Sequence, residues 1–266
     1  MSLGRRKVGL DDPSRWVFNR MADVYDARPP YPAGLVDALA ALAPPGGHVA
    51  DLGAGTGHLA LPLAARGFEV TAVEPARDML ERLRAAASAR GLPIRAEHAT
   101  AEATPLAARS VDLVVVADAL HFIDAELVAR EIARLLRPGG ALAVVTAALA
   151  DTPYMRDVRA VIDDSVPRRP RALARQLVHV SAMVGVPFGQ QHVFHDETPV
   201  DHETLERILR SISFIGPAMH PGRFATFRRR IHALAGPALW ARTFTLRVGT
   251  RARGATESPP SARLAR

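Results

Sequence analysis

The segment His48-Val-Ala-Asp51-Leu-Gly53-Ala-Gly55-Thr-Gly57-His58 puts a carboxylate at the end of an apolar run and three alternating glycines directly after it. Glycine lacks a Cβ and tolerates positive φ, so such a turn lets the backbone approach a bound molecule closely. A second carboxylate, Glu74, ends the next apolar run. If the two runs are parallel strands, Asp51 and Glu74 share the carboxyl edge of the sheet, where ligands of open α/β sheets bind. Two anionic groups flanking a glycine turn disfavour a diphosphate and favour a ligand that carries positive charge.

The spacing agrees. A dinucleotide turn needs G-x-G-x-x-G, but the third glycine here comes one position early and His58 stands where that pattern has glycine. The G-x-x-x-x-G-K-S/T of a phosphate-binding loop is missing as well. S-adenosylmethionine offers a cationic sulfonium, an ammonium and ribose hydroxyls, and Glu74 would accept both hydroxyls. An acidic residue plays the same ribose role for NAD, so an NAD-dependent oxidoreductase stays open as an alternative. A non-catalytic protein that binds cofactor or nucleic acid is a second one.

Further along, His121 follows an apolar run at the same edge and has the pKa range of a general base; equally, it shapes an acceptor pocket. Asp118 either bonds a ligand ammonium or caps a turn. Tyr25, Tyr31 and Trp16 could close over a ligand, or pack as an amphipathic face. Tyr31, His121, Phe122 and Tyr154 are the candidate acceptor contacts. His192, His195, Asp196 and His202 invite a metal reading, but strand alternation sends His192 and His195 to opposite faces, so no metal is expected. Arg168, Arg169 and Arg171, with Arg228, Arg229 and Arg230, could meet an anionic acceptor, though solvated surfaces explain them better.

Positioning these groups requires alternating strands and helices. Strands are expected at 48–52, 68–73, 92–98, 111–117 and 141–147, and helices at 13–26, 32–43, 58–66, 76–90 and 124–137. Val111 to Ala117 and Ala141 to Val145 are near-continuous apolar runs, as in parallel strands covered on both faces. A doubly wound α/β sheet follows. Helices at 151–164, 172–184, 201–212 and 222–235 and strands at 191–199 and 240–249 complete the pattern, with a tail from 251 that has no apolar period.

The chain has 266 residues and no cysteine, which excludes disulfide staples and thiolate chemistry and suits a cytoplasmic setting. No apolar run approaches the ~18 residues of a membrane span. The formal charge is +7, but Lys7 is the single lysine among 34 basic residues, a bias that resembles codon usage more than selection for phosphate contacts. With aromatics at only 5%, stacking platforms are scarce and nucleic acid is an improbable partner.

Four segments, Val49 to Gly57, Val70 to Pro75, Ala101 to Leu106 and Arg134 to Gly140, resemble in order the motifs of class I S-adenosylmethionine-dependent methyltransferases. The branch resembled is the type 11 small-molecule enzymes, including trans-aconitate methyltransferase-like proteins; Leu209 to Phe214 and Arg242 to Arg247 are similar to its C-terminal part. The resemblance implies a Rossmann-like doubly wound sheet of seven strands, mostly parallel with the last antiparallel, plus N-terminal helices and a helical insertion. It implies one domain over 1–250, a cofactor core at 46–150 and an acceptor-covering region at 151–236. Asp51, Gly53, Gly55 and Gly57 would line the methionine moiety, Glu74 and Pro75 the ribose, and Thr100, Ala101 and Glu102 the adenine. Asp118 and Ala119 would lie beside the sulfonium, and Tyr25 and Arg28 would reach the cofactor carboxylate. In-line methyl transfer to a small-molecule acceptor, leaving S-adenosylhomocysteine, is the implied reaction.

Overall fold

The computed structural model describes residues 16–166, 173–236 and 238–252, excepting the side chains of Trp16 and Gln190. The expectations for Trp16, for Arg168, Arg169 and Arg171, and for the tail beyond 252 therefore fall outside the described residues.

Strand β1 (His48–Leu52) is buried from end to end and lies parallel between β2 (Glu69–Val73) and β4 (Val111–Ala117). Beyond β2 comes β3 (Ile94–Glu97); beyond β4 come β5 (Leu136–Leu149), β7 (Leu239–Thr250) and, at the edge, β6 (Gln190–Pro199). The seven-stranded order is β3-β2-β1-β4-β5-β7-β6, with β7 antiparallel to both its neighbours, as expected. Because the chain leaves β1 in one direction and returns at β4 on the other side, the carboxyl ends of β1 and β4 flank a topological switch point.

Helices α3 (Ala33–Ala40) and α4 (Ala60–Ala64) cover one face, where Leu35, Leu39, Leu59 and Leu63 pack on Val49, Leu113 and Val115. α5 (Arg77–Ala89) contributes Leu83 to the same cluster. α6 (Ala125–Leu135) and α8 (Leu173–Val184) cover the other, with Val128, Ile132, Leu177 and Val180 against Val114, Val116 and Val144. A third cluster joins α7 (Pro153–Ser165), α9 (His202–Arg210) and α10 (Pro221–His232) to Trp240 and Ala241 of β7. The helix starts follow their caps: Asp124 Oδ1 accepts from Glu126 and Leu127, and Asp201 Oδ1 from Thr204.

Three boundaries differ from expectation. The helix expected over 13–26 resolves, where described, into two single turns, α1 (Trp16–Asn19) and α2 (Ala22–Tyr25). The helix expected to start at 58 starts at Ala60, because Gly57 at φ 92 holds the preceding backbone outside helical space; Pro62 still falls in the first turn. β5 begins at Leu136, so Pro138-Gly139-Gly140 is irregular strand, and the register with β4 shifts between Val111 and Leu113.

Candidate cofactor and acceptor site

The glycine turn is tied to β2 by Gly53 and Ala54, whose N–H groups donate to Val73 O at 2.9 and 3.1 Å. Gly53, Gly55 and Gly57 all have positive φ. The first two line the cleft and let neighbouring groups close on the turn: a Cβ on Gly53 would lie 2.7 Å from Ala119 Cβ, and one on Gly55 would touch the Tyr25 ring at 3.6 Å. A Cβ on Gly57 would lie 3.0 Å from Leu83 and 3.2 Å from Leu61, so the absence of one serves the packing of helix on sheet.

Glu74 closes the turn from the side. Gly55 N–H donates to its Oε2 and Ala76 N–H to its Oε1, both at 2.8 Å, which holds the carboxylate at the strand end. Asp51, 2% exposed, forms no ion pair among the described residues. Burial pushes its carboxyl up to about 7, the Glu74 charge adds to the rise, and a hydrogen bond from the Ala60 backbone opposes it. Asp51 thus carries a negative charge at a cost that the neighbouring Glu74 charge increases.

Asp118, at φ 51, holds a left-handed conformation that few residues other than glycine adopt. Hydrogen bonds overdetermine it: its N–H donates to Val145 O at 2.9 Å, and its Oδ1 accepts from Ala147 N–H at 3.1 Å. The bend turns the chain into a single 3-10 turn, Leu120–Phe122, where the His121 ring packs on Phe122 with centroids 4.0 Å apart. Phe122 in turn meets Phe18 edge to face at 4.9 Å.

The loop after β3 is pinned from below. Glu131 Oε1 accepts from Thr104 N–H (2.9 Å) and Oγ1 (2.6 Å), and Arg134 Nη2 and Nε donate to its two oxygens at 2.6 and 2.8 Å. Burial alone would raise the Glu131 pKa, yet these bonds from Arg134 and Thr104 hold it below the ordinary value. Ala101 lines the cleft. Thr100 is 4% exposed, its hydroxyl lacks a hydrogen-bond partner, and it is not among the lining residues. Glu102 instead accepts the Asp124 N–H at 3.0 Å, at the start of α6.

From the N-terminal side, Arg28 donates from Nε and Nη2 to Ser211 Oγ (2.7 Å) and O (2.6 Å), and from Nη1 to Tyr25 Oη at 3.3 Å. Its guanidinium lies over the Tyr25 ring. Burial keeps the Tyr25 and Tyr31 hydroxyls protonated well past neutrality. Tyr31 leans on Phe244 at 5.2 Å, and the nearly buried Arg242 donates to Pro29 O and Pro30 O and pairs with Asp196.

These groups surround a cleft in two compartments. A small one, about 70 Å³, is lined by Gly55, Glu74, Pro75, Met79, Ala101, Ala119 and Ile123. A large one, about 1020 Å³, takes in Asp51, Arg28, Tyr31 and His121. Tyr25, Gly53, Asp118 and Phe122 border both. Tyr154, expected at the acceptor, packs in the third cluster outside this lining; its hydroxyl is buried without a partner, and burial raises its pKa. The large compartment also gathers residues that motif spacing missed: His58, Arg159, Phe214, Trp240 and Arg242. Arg159 left one faint signal, a cation three residues before Ile162 on an otherwise apolar helix face. Of the residues weighed for a metal, Asp196 pairs with Arg242 and His202 stacks on His232; no cluster of metal-ligating side chains occurs among the described residues.

Residues 50–144 match the family described as a methyltransferase domain. Uncharacterized methyltransferases of Mycobacterium tuberculosis and Mycobacterium bovis are 42% identical over 147 residues, which is 54% of this chain and 55% of theirs. The match thus spans about half the length of these curated relatives. Together these findings show that this stretch is similar to methyltransferase domains. Among solved structures, geranyl diphosphate methyltransferase in complex with geranyl diphosphate and sinefungin has a TM-score of 0.52 at 16% identity, covering 82% of this chain and 77% of that one. The [4+2]-cyclase SpnF has a TM-score of 0.54 at 18% identity, covering 86% of each chain. Likenesses this distant show the methyltransferase-like fold alone; one neighbour is named for methyl transfer and the other for cyclisation, so the reaction must be argued from the site.

Proposed function

We propose that the protein is an S-adenosylmethionine-dependent methyltransferase that acts on a small-molecule acceptor by in-line transfer, within the type 11 branch, in the cytoplasm. Residues 46–150 bind the cofactor and residues 151–236 cover the acceptor. The observation that carries the reading is the pair of buried carboxylates at the ends of β1 and β2, set around a glycine turn whose first two glycines line the cleft. A cation settles that pair; a diphosphate opposes it.

The residues present fit this cofactor. Glu74, held by Gly55 and Ala76, presents its carboxylate to the small compartment where ribose hydroxyls would bind, Ala101 and Pro75 offer apolar walls to an adenine, and the carboxyl groups of Asp51 and Asp118 line the larger compartment. When bound, S-adenosylmethionine supplies an electrophilic methyl group. The chain supplies position and dryness: Tyr25, Tyr31 and Phe122 shield the reacting region, and Asp118 fixes the bend that carries His121. His121 accepts the acceptor's proton where that acceptor is a phenol, alcohol or amine, and orients it otherwise.

A tritiated-methyl transfer screen over carboxylic acids, phenols and amines tests the proposal. Labelled product from one class is expected, and His121→Ala should lower turnover about 100-fold or more while leaving S-adenosylhomocysteine affinity nearly unchanged. Equal losses in both would reassign His121 to the cofactor pocket.

A further inference from the structure

The acceptor end of the large compartment holds an unequal set of arginines. Arg28 directs three of its nitrogens at Ser211 and Tyr25, and Arg242 directs its own at Asp196, Pro29 and Pro30. Arg159 differs. Its Nη2 donates to Leu149 O at 2.6 Å, and it forms no other hydrogen bond or ion pair among the described residues. Four of the five guanidinium N–H groups thus remain for a ligand, at the wall of a cavity. Trp240, 5% exposed, lines the same cavity with part of its ring, while its Nε1–H is buried away from it.

Resting on the methyl-transfer reading above, we propose that the acceptor is an aromatic or similarly flat carboxylic acid, whose carboxylate is a handle gripped by Arg159 rather than the group methylated. The fork of a guanidinium matches a carboxylate in geometry, and one unpaired cation matches a monoanion better than a phosphate dianion. The body follows from Ile162, Phe214, Trp240 and Leu149, which present apolar and aromatic surface in the same compartment.

The separation between the two ends comes from β5. Asp118 is bonded to the N–H of Ala147, whereas Arg159 is bonded to the carbonyl of Leu149, two residues further along the strand and about 7 Å away at the ordinary strand rise. That gap holds one six-membered ring. The methylated atom therefore lies near Asp118 and His121, and the carboxylate lies across the ring from it.

The test is calorimetric titration of the full chain saturated with S-adenosylhomocysteine, using 4-hydroxybenzoate and 4-hydroxycinnamate and their neutral amides, with tryptophan fluorescence as a second readout. At least one acid is expected to bind about tenfold or more tighter than its amide and to shift tryptophan emission in the unaltered chain but not in Trp240→Phe. Arg159→Gln should abolish that preference, and Arg159→Lys should retain part of it, while S-adenosylhomocysteine affinity stays the same in both variants. Acids and amides binding alike, no acid binding, or a preference that survives in Arg159→Gln would each overturn the proposal. Failure of S-adenosylhomocysteine to bind the unaltered chain is a separate result and would overturn the methyl-transfer reading itself.

Discussion

Asp51 is a carboxyl that burial and Glu74 push from 3.8 up to about 7, so near neutrality it holds a proton for half the time. The sign of the consequence follows directly. An acid whose folded value is raised weakens the ligand-free protein as pH climbs from about 4 to about 7, because folding then opposes ionisation. A bound cation reverses the preference and expels the proton. Affinity for S-adenosylmethionine should therefore tighten as pH rises through about 7 and level off above it, with a smaller change for S-adenosylhomocysteine, which lacks the sulfonium charge. Titrations between pH 5.5 and 8.5 check this, and Asp51→Asn should flatten the dependence. A pH profile identical in Asp51→Asn would place the titrating group elsewhere.

At the scale of elements, the close approach of two turns decides how near a ligand can come. Gly53→Ala adds a Cβ 2.7 Å from Ala119 Cβ at φ 80, so the turn after β1 must move away from the one after β4. The expected result is a loss of S-adenosylhomocysteine affinity of about 2 kcal/mol, of which Ala119→Gly restores only the steric part, since the backbone strain of about 1 kcal/mol remains. Calorimetry on the single and double variants measures both. Glu131 anchors the loop between β3 and β4 to α6 through Thr104 and Arg134. Glu131→Ala leaves the Thr104 groups unpaired and should cost about 1 to 3 kcal/mol of stability, with Arg134 half in solvent limiting the loss. Denaturant unfolding reads it. Sequence legibility also belongs to this scale. β1 and β4 were readable to the residue, because apolar runs bounded by glycine or polar residues admit few alternatives. The packing of Gly57 against Leu83 and Leu61 is not encoded in the spacing, which does not show what each side of a turn meets. Arg159, Trp240 and Arg242 lie far from the glycine turn in sequence and share one cavity only through the third cluster, a juxtaposition no local period encodes.

For the whole molecule, the sheet order makes a switch point between β1 and β4, and the antiparallel β7 carries Trp240 and Arg242 back over it. Residues from both halves of the chain thereby line a single cleft, as the proposed division into cofactor and acceptor regions requires. The net charge of +7 is compatible with an anionic acceptor, but the decisive charges are the few that line the cavity. No helix among the described residues is long and apolar enough to cross a membrane. The most direct test of the central claim is calorimetric titration of the ligand-free chain with S-adenosylmethionine, S-adenosylhomocysteine and NAD in parallel. One-to-one binding of the first two and no heat with NAD is the predicted result, with Glu74→Ala weakening both by about 1 to 3 kcal/mol. Binding of NAD with silence toward both sulfur compounds would contradict it.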